Sequence, residues 1–226
     1  MPGIVHVVDD DASHRTTIQR ILEVIGYRVI TYSSPQQLLD QRPDKNAKGC
    51  ILLDFRMPEL SGPELQSRLA ALGGTLPIVF LTAYPDISTT VRAIKAGADD
   101  VLVKPVNSDE LLRAIGTAIA RHEVERALRG ELEALRARLS TLTPRQREVF
   151  EIIVRGKTNT QAARALGSSA RTIKAHREVI MEKMKVHSLP QLVRIAERLG
   201  VFNPMAGGLS AAISSVRSIK VLVFSS

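Results

Sequence analysis

The chain has 226 residues, of which 44% are hydrophobic, with 31 Lys and Arg against 23 Asp and Glu and a formal net charge of +8. That length suits one large or two ordinary domains, and the apolar content excludes global disorder. One cysteine, Cys50, excludes a disulfide framework or a Cys-rich zinc site, and with no apolar run of ~18–20 residues and no signal-peptide layout in MPGIVHVVDDD, a cytoplasmic protein is expected.

The first half alternates short apolar runs with amphipathic stretches. IVHVV (4–8) is rich in β-branched residues and ends in three aspartates. Residues 12–25 place Ile18, Ile21, Leu22 and Ile25 at helical spacing. Tyr27–Thr31 reads as a second strand and Ser34–Leu39 as a short helix. Gly49–Leu53 is a third strand, with Pro58, Gly62 and a helix from Pro63 after it. Pro77–Leu81 is a fourth strand, followed by a helix over 86–96 that ends at Gly97. Val101–Val103 is a fifth strand, then Lys104-Pro105, and a last helix starts near Ser108. Continuous apolar strands alternating with helices predict an α/β fold, a doubly wound five-stranded parallel sheet. Sites in such sheets lie at the carboxyl ends of the strands.

Residues 121–142 read as a helical linker continuing that helix. Val124, Leu128, Leu132, Leu135, Leu139 and Leu142 recur every three or four residues. This is either a short coiled-coil seam, weakened by Gly130, or a linker whose leucines cover the domain ends. Residues 143–200 are helical throughout. Thr143-Pro144 opens one helix, closed by Gly156; Thr158 caps a second reaching Leu166; Ser169 caps a third over 170–184; Ser188-Leu189-Pro190 starts a fourth, ended by Gly200. Two short helices joined at Gly167 form a helix-turn-helix pattern. Residues 201–226 are rich in Gly, Ser and small apolar residues and read as a mobile tail, whose VLVF run could pair with a strand edge.

The strand ends of the first half, residues 1–120, gather a distinctive set. Asp9, Asp10 and Asp11 follow the first strand, Asp54 ends the third, Thr82 ends the fourth and Lys104 ends the fifth. Clustered carboxylates suit a hard cation such as Mg2+. With Lys104 to neutralise phosphoryl oxygens, the set fits phosphoryl transfer to an aspartate. Singly, Asp11 could merely cap a helix, and Thr82 and Lys104 could be ordinary residues. Cys50 reads as a small buried hydrophobe, and His6 as a core or surface residue, not a ligand.

VVDDD (7–11), LLDFRMPELSG (52–62), LTA (81–83) and VKP (103–105) together resemble the receiver domain of two-component response regulators. The resemblance covers residues 4–120 with every motif in order, and Arg15 supports the register. It implies that Asp54 is phosphorylated and that Mg2+ is held by Asp10, by Asp9 mostly through water, by Asp54, and by the backbone carbonyl of Arg56. It implies that Thr82 hydrogen-bonds the phosphoryl group, that Lys104 pairs with it, and that Pro105 follows a cis peptide. This sequence departs from relatives at Val101, where an aromatic is usual, and at Val106. The expected switch therefore runs through the loop after Thr82 and the fourth helix, with Tyr84 as a candidate substitute.

The charge divides with the halves. Residues 1–120 carry 12 basic and 14 acidic side chains, residues 121–226 carry 19 and 9, and residues 143–200 carry 12 and 5. The basic half points to nucleic acid, a solvated basic face being the plainer alternative. LTPRQREVF, GKTNTQAARALG and SSARTIKAHREVIMEKMKV resemble the LuxR/NarL-type helix-turn-helix, and MEKMKVHSLPQLVRIA resembles its FixJ-type branch. By that resemblance 158–166 is the scaffold helix and 170–184 the recognition helix. Ile173, Val179 (or Ile180) and Met184 supply its packing stripe, and Arg171 lies on the remaining surface. Lys174, Ala175 and Glu178 would face bases; Thr158, Asn159, Thr172, Arg177 and either His176 or Lys183 would hold phosphates. Glu178 is expected to pair with Lys174 more than to read a cytosine. Thr160, Gln161, Ala162 and Ser168 differ from the usual scaffold and turn residues.

The resemblance implies a DNA-binding response regulator: a sensor histidine kinase phosphorylates Asp54, the chain dimerises, and the dimer binds promoter DNA and engages RNA polymerase. Beyond its own phosphorylation and slow dephosphorylation, no enzymatic activity is expected. An aspartate-dependent phosphatase is the rival, opposed by Arg56 where such enzymes carry a second acid. A regulator acting without phosphorylation is the other.

Overall fold

The computed structural model describes residues 3–44, 47–84 and 86–201. Apart from Val201, the tail expected over 201–226 lies outside them. The chain divides into two compact units between Glu125 and Arg126.

In the first unit, five strands are β1 (Ile4–Val8), β2 (Arg28–Tyr32), β3 (Gly49–Asp54), β4 (Ile78–Thr82) and β5 (Asp100–Val103). Between them run α1 (Ala12–Val24), α2 (Pro35–Gln41), α3 (Gly62–Ala71) and α4 (Ile87–Lys95), and α5 (Ser108–Ser140), whose residues from Arg126 onward belong to the second unit, follows β5. All pairings are parallel and the order is β2-β1-β3-β4-β5. The order reverses between β1 and β3, which puts a crevice at their carboxyl ends.

Both faces of the sheet are packed, which explains the unbroken apolar strands. Val5, Val7, Cys50, Leu52, Val79 and Leu81 meet Ile18 and Leu22 of α1 and Leu111 and Ile115 of α5. On the opposite side Val8, Ile51, Leu53 and Phe80 meet Leu38 of α2 and Leu65 and Leu69 of α3. Cys50 is fully buried, as its strand position suggested. Ile25 departs from expectation. The helix stops at Val24 and the chain turns through Gly26, leaving Ile25 as an exposed cap rather than a core residue. Asp11 caps α1, its carboxylate accepting from the amides of Ser13 and His14. His6 is buried, its Nδ1 2.9 Å from the Tyr32 hydroxyl, and burial lowers its pKa to about 4, so it is a neutral core residue.

α5 runs unbroken through Gly130 to Ser140, so 121–142 holds no separate element until its last two residues. Its leucines divide. Leu135, Leu139 and Leu142 are buried, whereas Val124 and Leu128 are exposed. Leu139 and Leu142 join the core of the second unit, as the covering role expects.

The second unit adds α6 (Pro144–Val154), α7 (Asn159–Ala165), α8 (Ala170–Met184) and α9 (Leu189–Arg198). Val149, Phe150 and Ile153 of α6 pack with Ala162, Ile173, Ile180, Met184, Leu192 and Ala196. Thr143 and Thr158 each form a capping box with a glutamine three residues on. Between α7 and α8, Gly167 takes a left-handed φ of 60°, a conformation costly for residues with a Cβ. Ser168 then donates its amide to Ala163 (2.9 Å), closing the turn despite its polar side chain. Arg145 ties the helices, reaching the carbonyl of Leu166 at 2.5 Å. Among the described residues no helix is long and apolar enough to cross a membrane.

Candidate functional site

The acidic set assembles at the carboxyl ends of the strands. Parallel pairing of β1 with β3 sets Val8 beside Leu53, so Asp9 and Asp10 emerge next to Asp54. One oxygen from each of Asp9, Asp10 and Asp54 lies within 4.8 Å of the others. Asp9 is fully buried, Asp10 exposed and Asp54 partly buried. Gly62 makes room behind them, because a Cβ there would stand 2.5 Å from the Asp54 carbonyl and 2.8 Å from the Phe80 ring.

Lys104 links the acids. β4 sets Thr82 beside Val103, and the Lys104 amide donates to the Thr82 carbonyl (2.7 Å), so its side chain starts at the mouth of the site. The Lys104-Pro105 peptide is cis, as the resemblance implied. Nζ lies 2.8 Å from Asp9 Oδ2 and 3.2 Å from Asp54 Oδ2. The two carboxylates respond differently. Burial would raise Asp9, but hydrogen bonds from His14, Lys104 and the Asp11 amide outweigh it and hold it at about 2. Burial raises Asp54 above the ordinary carboxylate value, with Lys104 opposing and Asp9 reinforcing the rise. Asp54 thus has the more basic carboxylate of the two.

Thr82 sits as expected, its hydroxyl engaged with the next loop: Oγ1 accepts the Tyr84 amide and donates to the Tyr84 carbonyl, both at 3.2 Å. Tyr84 is 65% exposed, and the Arg56 guanidinium stacks over its ring at 4.7 Å. The loop after β4 is therefore tied to the loop after β3. Val101 is partly buried and packs on the core beside α4, so no aromatic fills that position.

Two further groups meet Asp9 here, of which sequence reasoning singled out Arg15, as support for the register, but not His14. His14 Nδ1 lies 2.5 Å from Asp9 Oδ2, and Arg15 Nη1 donates to the Asp9 carbonyl at 2.6 Å. His14 follows Asp9 by five residues, across the Asp11 cap where the chain turns into α1, so helical i,i+4 spacing gave no signal for it.

In the second unit the outer face of α8 presents Arg171, Thr172, Lys174, Ala175 and Glu178 to solvent, with His176 and Arg177 half-buried beside them. Buried Ile173, Ile180 and Met184 set this orientation; Val179 is exposed, so Ile180 rather than Val179 belongs to the packing stripe. Arg177 Nη1 donates to Asn159 Oδ1 (2.6 Å), joining the two helices of the motif at one point, beside Thr158. The Thr172 hydroxyl is 2.8 Å from that of Ser169, within the cap. Two expectations are corrected. Lys183 donates to the Thr141 carbonyl (2.8 Å) and to Gln146 Oε1 (2.9 Å), so its ammonium braces α8 against α6 instead of facing outward. Among the described residues, the ion pairs do not include one between Lys174 and Glu178. Lysine preceding glutamate is the weaker orientation for such a pair, because it opposes the helix dipole.

Comparison with known proteins agrees with both halves. The family described as "Response regulator receiver domain" matches residues 5–116. That described as "Bacterial regulatory proteins, luxR family" matches residues 140–196. The response regulator protein TmoT of Ectopseudomonas mendocina is 39% identical over 197 residues, covering 87% of this chain and 89% of that protein. The transcriptional regulatory protein FixJ of Bradyrhizobium diazoefficiens is 37% identical over 201 residues, covering 89% and 98%. Among solved structures, the response regulator StyR aligns with a TM-score of 0.79 at 40% identity, covering 86% of this chain and 98% of that one. With the acid cluster and its lysine at the strand ends of the first unit and a basic helix-turn-helix in the second, this chain belongs to the two-component response regulators of the FixJ type, with a receiver domain followed by a LuxR-type DNA-binding domain.

Proposed function

We propose that Asp54 accepts a phosphoryl group from a sensor histidine kinase, and that this modification controls promoter binding by the second unit. The carrying observation is the shared position of Lys104 between Asp9 and Asp54, with Asp54 the more basic of the two. An oxygen of Asp54 forms a new bond to phosphorus as the donor's phosphorus–nitrogen bond breaks. The electrons of that bond leave with the donor imidazole, which takes up a proton. Lys104 Nζ, 3.2 Å from Asp54 Oδ2, and the Thr82 hydroxyl at the end of β4 are assigned to bind the transferred phosphoryl oxygens. This phosphorylation and its slow reversal are the chain's own chemistry. The Arg56 side chain, stacked on Tyr84, supplies no acid for a phosphatase.

Mg2+ fits this site. The donors gathered within 4.8 Å are all carboxylate oxygens, the ligand type that hard cation prefers. Asp9, Asp10, Asp54 and the Arg56 carbonyl would hold it. Bound there, it would supply positive charge against the phosphoryl oxygens.

Within the DNA-binding unit, residues 143–200, Lys174, Ala175 and Glu178 read base edges. Thr158, Asn159, Arg171, Thr172, His176 and Arg177 hold phosphates, and RNA polymerase is then engaged at the promoter, in the cytoplasm. The exposure of the α8 face and the Arg177–Asn159 bond support this assignment. Dimerisation uses the α4–β5–α5 face of the receiver, where Ile87 is 84% exposed and Val91 and Val103 are also exposed. Apolar groups of this size in water mark a surface built to be covered. In analytical ultracentrifugation the chain shifts from monomer to dimer when acetyl phosphate and Mg2+ are added, and Val91→Glu keeps it monomeric; an unchanged distribution on phosphorylation defeats this part of the reading.

A further inference from the structure

We propose that His14 is a positioning residue for phosphoryl transfer: it keeps the Asp9 carboxylate satisfied so that Lys104 can leave Asp9 for the phosphoryl group on Asp54. The inference rests on the reading of Asp54 as phosphoacceptor. It starts from a count of donors around one buried acid. Asp9 is fully buried, and both its oxygens are in use. Oδ1 accepts the Asp11 amide at 2.9 Å. Oδ2 meets Lys104 Nζ at 2.8 Å and His14 Nδ1 at 2.5 Å.

Lys104 is divided between two acids, since its Nζ is also 3.2 Å from Asp54 Oδ2. One ammonium has three hydrogens and a single position, so movement toward a phosphoryl group on Asp54 lengthens its bond to Asp9. A buried carboxylate oxygen left without a donor carries the full cost of its desolvation. His14 removes that cost, because it already donates to the same oxygen. An ionised carboxylate only accepts, so Nδ1 is the protonated ring nitrogen in this contact.

The local structure holds the imidazole in place. Asp11 caps α1 by accepting the amides of Ser13 (2.8 Å) and His14 (3.1 Å), fixing the first turn. The side chain of His14 is 25% exposed, so its far edge faces water while Nδ1 faces the acid. A residue without a donor at position 14 leaves Lys104 as the only side-chain donor to Asp9, and the lysine is retained there.

The test uses the full chain, acetyl phosphate as donor, and two kinds of variant. In the reaction an Asp54 oxygen forms the bond to phosphorus, the donor's phosphorus–oxygen bond breaks, and acetate leaves with the electron pair. His14→Met and His14→Leu remove the donor; His14→Asn restores one, because its amide nitrogen occupies nearly the place of Nδ1. Met and Leu are expected to lower the labelling rate at saturating Mg2+ about tenfold, the size of one lost charge-assisted hydrogen bond, with Asn within about threefold of wild type. The Mg2+ Kd measured by calorimetry without phosphodonor stays within about twofold in all three.

Wild-type rates in both Met and Leu overturn the proposal, as does an Asn variant as slow as they are. So does an Mg2+ Kd that weakens by the same factor as the rate, which would place His14 in metal binding. Failure of the underlying reading looks different: wild type then goes unlabelled, or Asp54→Asn is labelled as well as wild type.

Discussion

Asp54→Asn abolishes labelling of the chain by acetyl phosphate in the presence of Mg2+, by at least about 100-fold. The reason is electronic as much as positional. A carboxylate oxygen carries the charge and lone pair that attack phosphorus, whereas a neutral amide does not. Asp54 is also favoured among the three acids by its surroundings. Asp9 is held near 2 by His14, Lys104 and the Asp11 amide, and is fully buried. Asp10 is exposed, so its carboxylate is solvated. Asp54 is raised by burial and partly open, with Lys104 3.2 Å away. The variant keeps the shape of the side chain and its fold, so circular dichroism remains that of wild type. Mass spectrometry of the intact chain reads the result, and a phosphoryl adduct in the Asn variant at wild-type level refutes the assignment.

The second large effect is on DNA, where two substitutions separate two kinds of contact. Arg177→Ala weakens binding to every sequence by about tenfold or more at moderate salt, and reduces the slope of log affinity against log salt by about one. Among the described residues, Arg177 carries the one side-chain bond that crosses between α8 and α7, to Asn159 at 2.6 Å, so its loss also frees the start of α7. Lys174→Ala acts otherwise. Its side chain is exposed on the outer face, beside Ala175, and is without an ion pair to Glu178 among the described residues. Its loss relaxes preference at one base position, costing about 1–3 kcal/mol on the preferred site and little elsewhere. Fluorescence anisotropy on a selected site and a scrambled one, over a range of salt, distinguishes the two. Equal affinity of both variants and wild type on both duplexes contradicts the placement of α8 on DNA.

The acid site was legible from sequence because its members sit at strand ends. In a parallel sheet, position along each strand alone brings Asp9, Asp10, Asp54, Thr82 and Lys104 to one edge, with no need to know side-chain packing. Strand limits moved by about a residue, since apolar runs mark burial and not the first hydrogen bond of a ladder. What escaped was tertiary. His14 meets Asp9 only because Asp11 turns the chain into α1 at that point. Lys183 lies 42 residues from Thr141 in the chain, and its bond there depends on how α8 packs on α6. The choice between Val179 and Ile180 was open because adjacent residues differ by only about 100° around a helix. Packing between α6 and α8 decides it for Ile180. Likewise the leucine stripe over 124–142 has one period but two fates, covered from Leu135 onward and bare at Val124 and Leu128.

The most direct test of the account is the affinity of the full chain for a selected promoter duplex, measured with and without acetyl phosphate and Mg2+, in wild type and in Asp54→Asn. The account predicts that phosphodonor tightens wild-type binding about tenfold or more, as expected when dimerisation engages a second half-site, and leaves the Asn variant unchanged. The same affinity for wild type with and without phosphodonor, or an equal gain in the Asn variant, would contradict it.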